Sequence, residues 1–183
     1  MKTLRRLFLI AAAAAALLAA GAYLFIELLP YSADRLSAWP TSPVLLDRKG
    51  GVFAVFLSED SEWSIPVPLS RMGRWLPMVA MEVEDRRFRE HGGVDWASIL
   101  RASWQNASAG RVVSGASTIT SQLVRLSNPR ARTIKTKLLE FAAAIQTEKH
   151  FSKDEILELY LNRAPLGGNI RGVEAAARIY FSK

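Results

Sequence analysis

Glu84, Phe88 and His91 are the first residues of this 183-residue chain whose types and spacing suit chemistry. Steps of four and three put them on one face if the segment is helical, just before Gly92-Gly93, which would stop that helix. A carboxylate beside an aromatic ring near a helix end can be desolvated. Desolvation raises a carboxyl pKa toward the range a general base or acid uses. The same spacing describes equally well an amphipathic helix end whose charges are solvated.

Two further groups stand downstream. The run Ser114-Gly115-Ala116-Ser117-Thr118-Ile119-Thr120-Ser121-Gln122 gathers hydroxyls and an amide around a glycine. Such a run can offer side-chain and backbone donors to phosphate or sugar oxygens at a helix start, or serve as an ordinary Ser/Thr-rich cap. Arg125 adds a charge on the same expected helix. Lys137 and Glu140, three apart, share a helical face; an ion pair at that spacing is commonplace and worth only about 0.2–0.5 kcal/mol. Leu157, Tyr160 and Leu161 read as core packing.

The elements that must position these groups are legible in outline. Val44-Leu45-Leu46 and residues 52–57 read as two short strands about the turn Asp47-Arg48-Lys49-Gly50-Gly51, and Pro66 and Pro68 end this β element. From Met72 the period turns helical: Leu76, Val79, Ala80 and Val83 recur, and the pattern predicts a helix running on to Gly92-Gly93. Further helices are expected over residues 96–107, 118–126 and 133–150. The third of these carries Ile134, Leu138, Phe141, Ala142 and Ile145 on one face. Ser152-Lys153-Asp154-Glu155 reads as a capping box opening a helix to Asn162. Residues 165–169 read as a loop, and residues 172–181 as a last helix.

Composition narrows the chemistry. There is no cysteine, so disulfides and thiolate metal sites are excluded, and two histidines (His91, His150) make a His-rich zinc site a poor expectation. The net charge of +7 is concentrated: residues 101–153 carry nine basic and two acidic side chains. A partner bearing phosphates or carboxylates would be drawn there, although a solvated basic face accounts for the charge as well.

Residues 7–26 are an uninterrupted apolar run behind Lys2, Arg5 and Arg6. Twenty helical residues span roughly 30 Å, the hydrocarbon thickness of a bilayer. The flanking basic residues favour a cytoplasmic N-terminus and send the remainder outward. A cleaved signal peptide ending near Ala19-Ala20-Gly21-Ala22 is the competing reading, but the apolar run continues past that point. The expected organisation is a tail (1–6), a transmembrane signal anchor (7–29), a Pro-containing linker (30–43), a small β element (44–70) and a mainly α domain (71–183).

Taken in order, the segments resemble the peptidoglycan glycosyltransferases, glycosyltransferase family 51. Five motifs carry the likeness: Glu84-Asp85-Arg86-Arg87-Phe88 with His91 and Gly92; Gly115 through Gln122; Lys137 with Glu140; Glu155-Ile156-Leu157-Glu158-Leu159-Tyr160-Leu161-Asn162; and Gly172-Val173-Glu174-Ala175-Ala176-Ala177 leading to Tyr180-Phe181. The stretch Asn162-Arg163-Ala164-Pro165-Leu166-Gly167-Gly168-Asn169 looks like the penicillin-binding protein 1C branch. The resemblance implies a lysozyme-like, mainly helical domain with a small N-terminal β hairpin, preceded by one transmembrane helix. It implies polymerisation of lipid II at the outer face of the bacterial inner membrane.

In that reading Glu84 is the catalytic base and Glu140 helps organise the leaving-group site. Asp85, Phe88, His91, Ser117, Thr118, Gln122, Arg125 and Lys137 would line the substrate cleft. The implied partners are lipid II, the growing glycan chain, the membrane and other wall-synthesis proteins, not nucleic acid. No organic cofactor is implied; a divalent metal, Mg or Mn, at the diphosphate is compatible with the family.

Four positions depart from the family pattern: Ala116 replaces a second glycine, Ser121 a glutamine, Thr136 an arginine and Ser182 a glycine. Both glutamates are kept, so the departures bear on rate and substrate grip rather than on reaction class. The family domain usually continues beyond the fifth motif, so the resemblance implies a domain that is C-terminally incomplete. Two rival readings remain: a lysozyme-like hydrolase using Glu84 as an acid, and a non-catalytic module that binds lipid II or wall-synthesis proteins.

Overall fold

The computed structural model describes residues 2–182 and divides the chain into two units, 1–31 and 32–183. The first unit is helix α1 (Lys2–Leu28), in which Arg5–Leu28 is long and apolar enough to cross a membrane.

The second unit is mainly helical. It contains α2 (Asp34–Ser37), the strands β1 (Val44–Leu46), β2 (Val52–Val55) and β3 (Trp63–Ser64), and a 3-10 turn (Leu69–Arg71). These are followed by α3 (Trp75–Glu84), α4 (Trp96–Ala109), α5 (Ile119–Ser127), α6 (Ile134–His150) and α7 (Lys153–Leu161), then β4 (Ile170–Arg171) and α8 (Val173–Phe181). Helix starts follow local caps. Thr118, Thr133 and Ser152 each accept from the N–H three residues on, and Ser152 with Glu155 completes the expected capping box.

The hairpin β1–β2 forms as its sequence predicts, antiparallel with a register shift between Leu45 and Leu46. Three features differ from expectation. The segment read as a linker is packed into the globular unit: Leu36 is buried, Trp39 stacks over the buried Arg163 guanidinium at 4.8 Å, and Ser42 pairs with Ser64. The β element does not end by itself either, because β3 pairs in parallel with β4 near the far end of the chain. Asn162 and Glu158 extend this closure. Asn162 accepts from Val67 N–H at 3.0 Å and donates to its carbonyl at 2.8 Å, while Glu158 accepts from Leu69 N–H at 2.7 Å.

The third difference lies in α6. Ile134 and Leu138, expected on its core face, are 83% and 57% exposed, and the buried positions are Ala142, Ala144, Gln146 and Thr147. The small residues allow close approach: Gly93 adopts φ +92°, and a Cβ there would sit 2.5 Å from the Ala144 carbonyl oxygen. The largest fully buried side chains are Phe88, Ile119, Leu123, Ile156 and Leu157, so the core sits among α5, α7 and the turn after α3. Each contributes about 1.5–3 kcal/mol by leaving water.

Candidate active site

Glu84 is the last residue of α3 and is solvent-exposed. The helix expected to run on to Gly92-Gly93 stops here, and the cause is Asp85. Its N–H still bonds to the Met81 carbonyl at 2.9 Å, but its backbone swings out to φ −159°. The buried Asp85 carboxylate faces His91 Nε2 at 3.1 Å from either oxygen and accepts the Ile119 N–H at 2.9 Å. That N–H is one of the unpaired donors at the start of α5, so a charged acceptor is well placed there.

Turns replace the helix beyond Asp85. Phe88, only 1% exposed, points into the core with Lys153 Nζ 4.4 Å from its ring centre, and the His91 side chain is 6% exposed behind Asp85. Phe88 and His91 therefore do not share a surface with Glu84 and offer none to a ligand. They support the wall from behind.

Glu84 is held from across the fold. Gln122 on α5 donates through Nε2 to Glu84 Oε2 at 2.9 Å, and Tyr160 on α7 donates to Gln122 Oε1 at 3.4 Å. Burial, reinforced by the negative charge of Glu84, pushes the Tyr160 hydroxyl up to about 12; the Arg125 charge opposes the shift. Tyr160 therefore remains a donor over any working pH. Arg125 is half-buried on α5.

A cleft of about 280 Å³ opens beside Glu84, and Arg86, Arg87, Arg101, Ser98 and Ser117 line it with Glu84 itself. Residues 115–118 form one wall. Ser117 accepts from Lys137 Nζ at 3.3 Å, and the same ammonium lies 3.2 Å from Glu140 Oε2. Thr118 also reaches the cleft, but its hydroxyl donates to the Gly93 carbonyl at 2.7 Å and caps α5. Ser121, where a family glutamine was expected, completes a capping box with Thr118. Asp95 lies at the base of the cleft. Burial works against its ionisation, but the Ser98 hydroxyl at 2.6 Å, the Ser98 N–H at 3.0 Å and Arg87 at 3.4 Å outweigh it and hold the carboxyl below its usual value.

The structure thus gathers Glu84, Gln122, Ser117, Thr118, Lys137 and Glu140 from α3, α5, α6 and the loop before α5. It adds Asp95, Ser98 and Arg101, which sequence reasoning did not single out. Ser98 and Arg101 lie on α4, whose N-cap Asp95 pairs with Arg87 at 3.4 Å in the turn after Glu84. Among the described residues no three His, Asp or Glu side chains converge on one point, and Glu140 is already paired with Lys137. These residues do not fit a divalent ion caged by protein side chains.

The transglycosylase family model matches residues 49–183. Penicillin-binding protein 1C of Escherichia coli is 38% identical over 171 residues, 90% of this chain and 22% of that protein. Penicillin-binding protein 1A of Aquifex aeolicus is 38% identical over 151 residues, covering 81% of this chain and 20% of the relative. Penicillin-binding protein 1A of Escherichia coli is 45% identical over 121 residues, covering 65% and 14%. The chain thus spans about a fifth of the length of such relatives. With a family match over most of its length, the chain belongs to the transglycosylase family.

Proposed function

We propose that this domain is a peptidoglycan glycosyltransferase that lengthens glycan strands from lipid II. The observation that carries the reading is an exposed carboxylate, Glu84, fixed by Gln122 at the edge of a cleft rich in arginine. Glu84 takes the proton from the 4-hydroxyl of an acceptor GlcNAc. That oxygen attacks C1 of the donor MurNAc with inversion, and undecaprenyl diphosphate leaves. A positioned base raises the nucleophilicity of the hydroxyl. Lys137, with Glu140 holding it, and the cleft arginines offset charge growing on the departing diphosphate.

Hydrolysis with inversion needs a second carboxylate free to activate water. Of the other carboxylates lining the cleft, Asp85 is committed to His91 and Ile119, Asp95 to Ser98 and Arg87, and Glu82 pairs with Arg86, which favours transfer over hydrolysis. The apolar Arg5–Leu28 helix, which opens on Arg5 and Arg6 behind Lys2, supports placement in the bacterial inner membrane with the domain on its outer side.

Labelled lipid II supplied to wild type and Glu84→Gln tests the reading. Wild type is expected to yield polymer, with a loss of about 10²–10⁴-fold in the variant. Equal polymer from both removes Glu84 as base. Finished sacculi shortened by a protein that makes no polymer would establish the hydrolase instead, and lipid II bound without turnover would establish a binding module.

A further inference from the structure

Asn106 lies in the last turn of α4, four residues before Gly110, which ends the helix at φ +62°. Its side chain reaches into the connection that follows. Oδ1 accepts from two successive backbone N–H groups, Val113 at 2.7 Å and Ser114 at 2.9 Å, and Nδ2 donates to the Ser114 carbonyl at 3.0 Å. One amide thereby satisfies three backbone groups, as a neighbouring strand would. Among the described residues, the backbone of 111–116 makes no other hydrogen bond.

This connection leads directly into the cleft wall formed by residues 115–118. Beyond residue 116 the chain is held twice, Ser117 by Lys137 and Thr118 by Gly93 and Ser121. Before it, among the described residues, the bonds to Asn106 are the only hydrogen bonds that tether the chain. Val112 is 84% exposed, so packing does not replace those bonds at the tip.

We propose that Asn106 is a positioning residue for catalysis, a clamp that sets where Gly115, Ala116 and Ser117 stand relative to Glu84. The assignment rests on reading the cleft as the polymerase site. A wall tethered at one end only samples conformations in which the substrate contacts are absent, and the protein binds through the remaining fraction. Loss of the clamp therefore weakens substrate capture while the core, which Asn106 does not enter, stays intact.

Hydrogen exchange of the Val113 and Ser114 amides, measured on the full chain in detergent, reads the clamp directly. In Asn106→Ala both amides are expected to exchange about tenfold faster than in wild type, with the thermal midpoint moving only about 2 °C. KM for lipid II is expected to rise about fivefold or more, with kcat changing less. Asn106→Asp keeps both N–H bonds and loses the donor to Ser114, so its exchange and KM fall between the two. Equal amide exchange in wild type and Asn106→Ala overturns the clamp. Freed amides with unchanged KM and kcat overturn its role in catalysis. A wild type that makes no polymer sinks the polymerase reading and with it the catalytic role, while amide exchange still decides whether the clamp exists.

Discussion

Gln122 Nε2 stands 2.9 Å from Glu84 Oε2, joining two residues 38 positions apart and two helices that share no sequence signal. The bond aims one carboxylate oxygen and leaves the other free to face the cleft. Because Tyr160 donates to the carbonyl end of the same amide, the orientation of Gln122 is itself determined.

Removing that bond should cost rate without costing the fold. In Gln122→Ala the kcat for glycan synthesis is expected to fall about tenfold, equivalent to about 1.4 kcal/mol, with KM within about twofold. Gln122 is only half-buried, so the unfolding midpoint should barely move. A variant that polymerises at the wild-type rate would show that Glu84 needs no such support.

Tyr160 should report on Glu84 through its titration. Its hydroxyl is pushed up to about 12 from 10.0, by burial first and by the Glu84 charge second. A phenol whose pKa is higher folded than unfolded contributes stability that is whole below pH 10 and is lost as pH rises toward 12. Absorbance of the phenolate should show one late-titrating tyrosine that is missing in Tyr160→Phe. In Glu84→Gln its midpoint should fall, because the raising charge is gone. An unmoved midpoint would mean that the two groups do not sense each other.

The approach of Gly93 to α6 should tolerate no side chain. With φ +92° and the Ala144 carbonyl oxygen 2.5 Å from where a Cβ would stand, Gly93→Ala combines backbone strain with a backbone clash. The expected loss is about 3 kcal/mol in denaturant unfolding. Gly92 is the control: a Cβ there meets nothing within 4 Å, and Gly92→Ala should change stability by less than about 1 kcal/mol. Equal losses at the two positions would show that the close packing at Gly93 is not what holds the turn.

What the sequence determined by itself are the features written within a few neighbouring residues. The continuous apolar run of α1, the hairpin turn at residues 47–51 and the capping box at Ser152 are all written in neighbouring residues, and Glu84 stood out as the first of five motifs in family order. Local hydrogen bonds and helical or strand periods act over such short separations.

Tertiary structure decided the rest. The sequence pattern carried α3 on to Gly92-Gly93, but the acceptor that ends it, the Asp85 carboxylate, is satisfied by an N–H 34 residues away. Periodicity marked α6 as amphipathic without saying that Ile134 and Leu138 would face outward and Ala144 would meet Gly93. The joining of β3 to β4, the packing of residues 34–42, and the arrival of Arg101 and Ser98 beside Glu84 all depend on chain closure, which no local spacing encodes. Glu84 was visible from its motif, but its amide partner on α5 and the cleft of arginines and carboxylates beside it exist only because distant segments pack together, whereas the bonds from Asn106 to Val113 and Ser114 span just seven and eight positions.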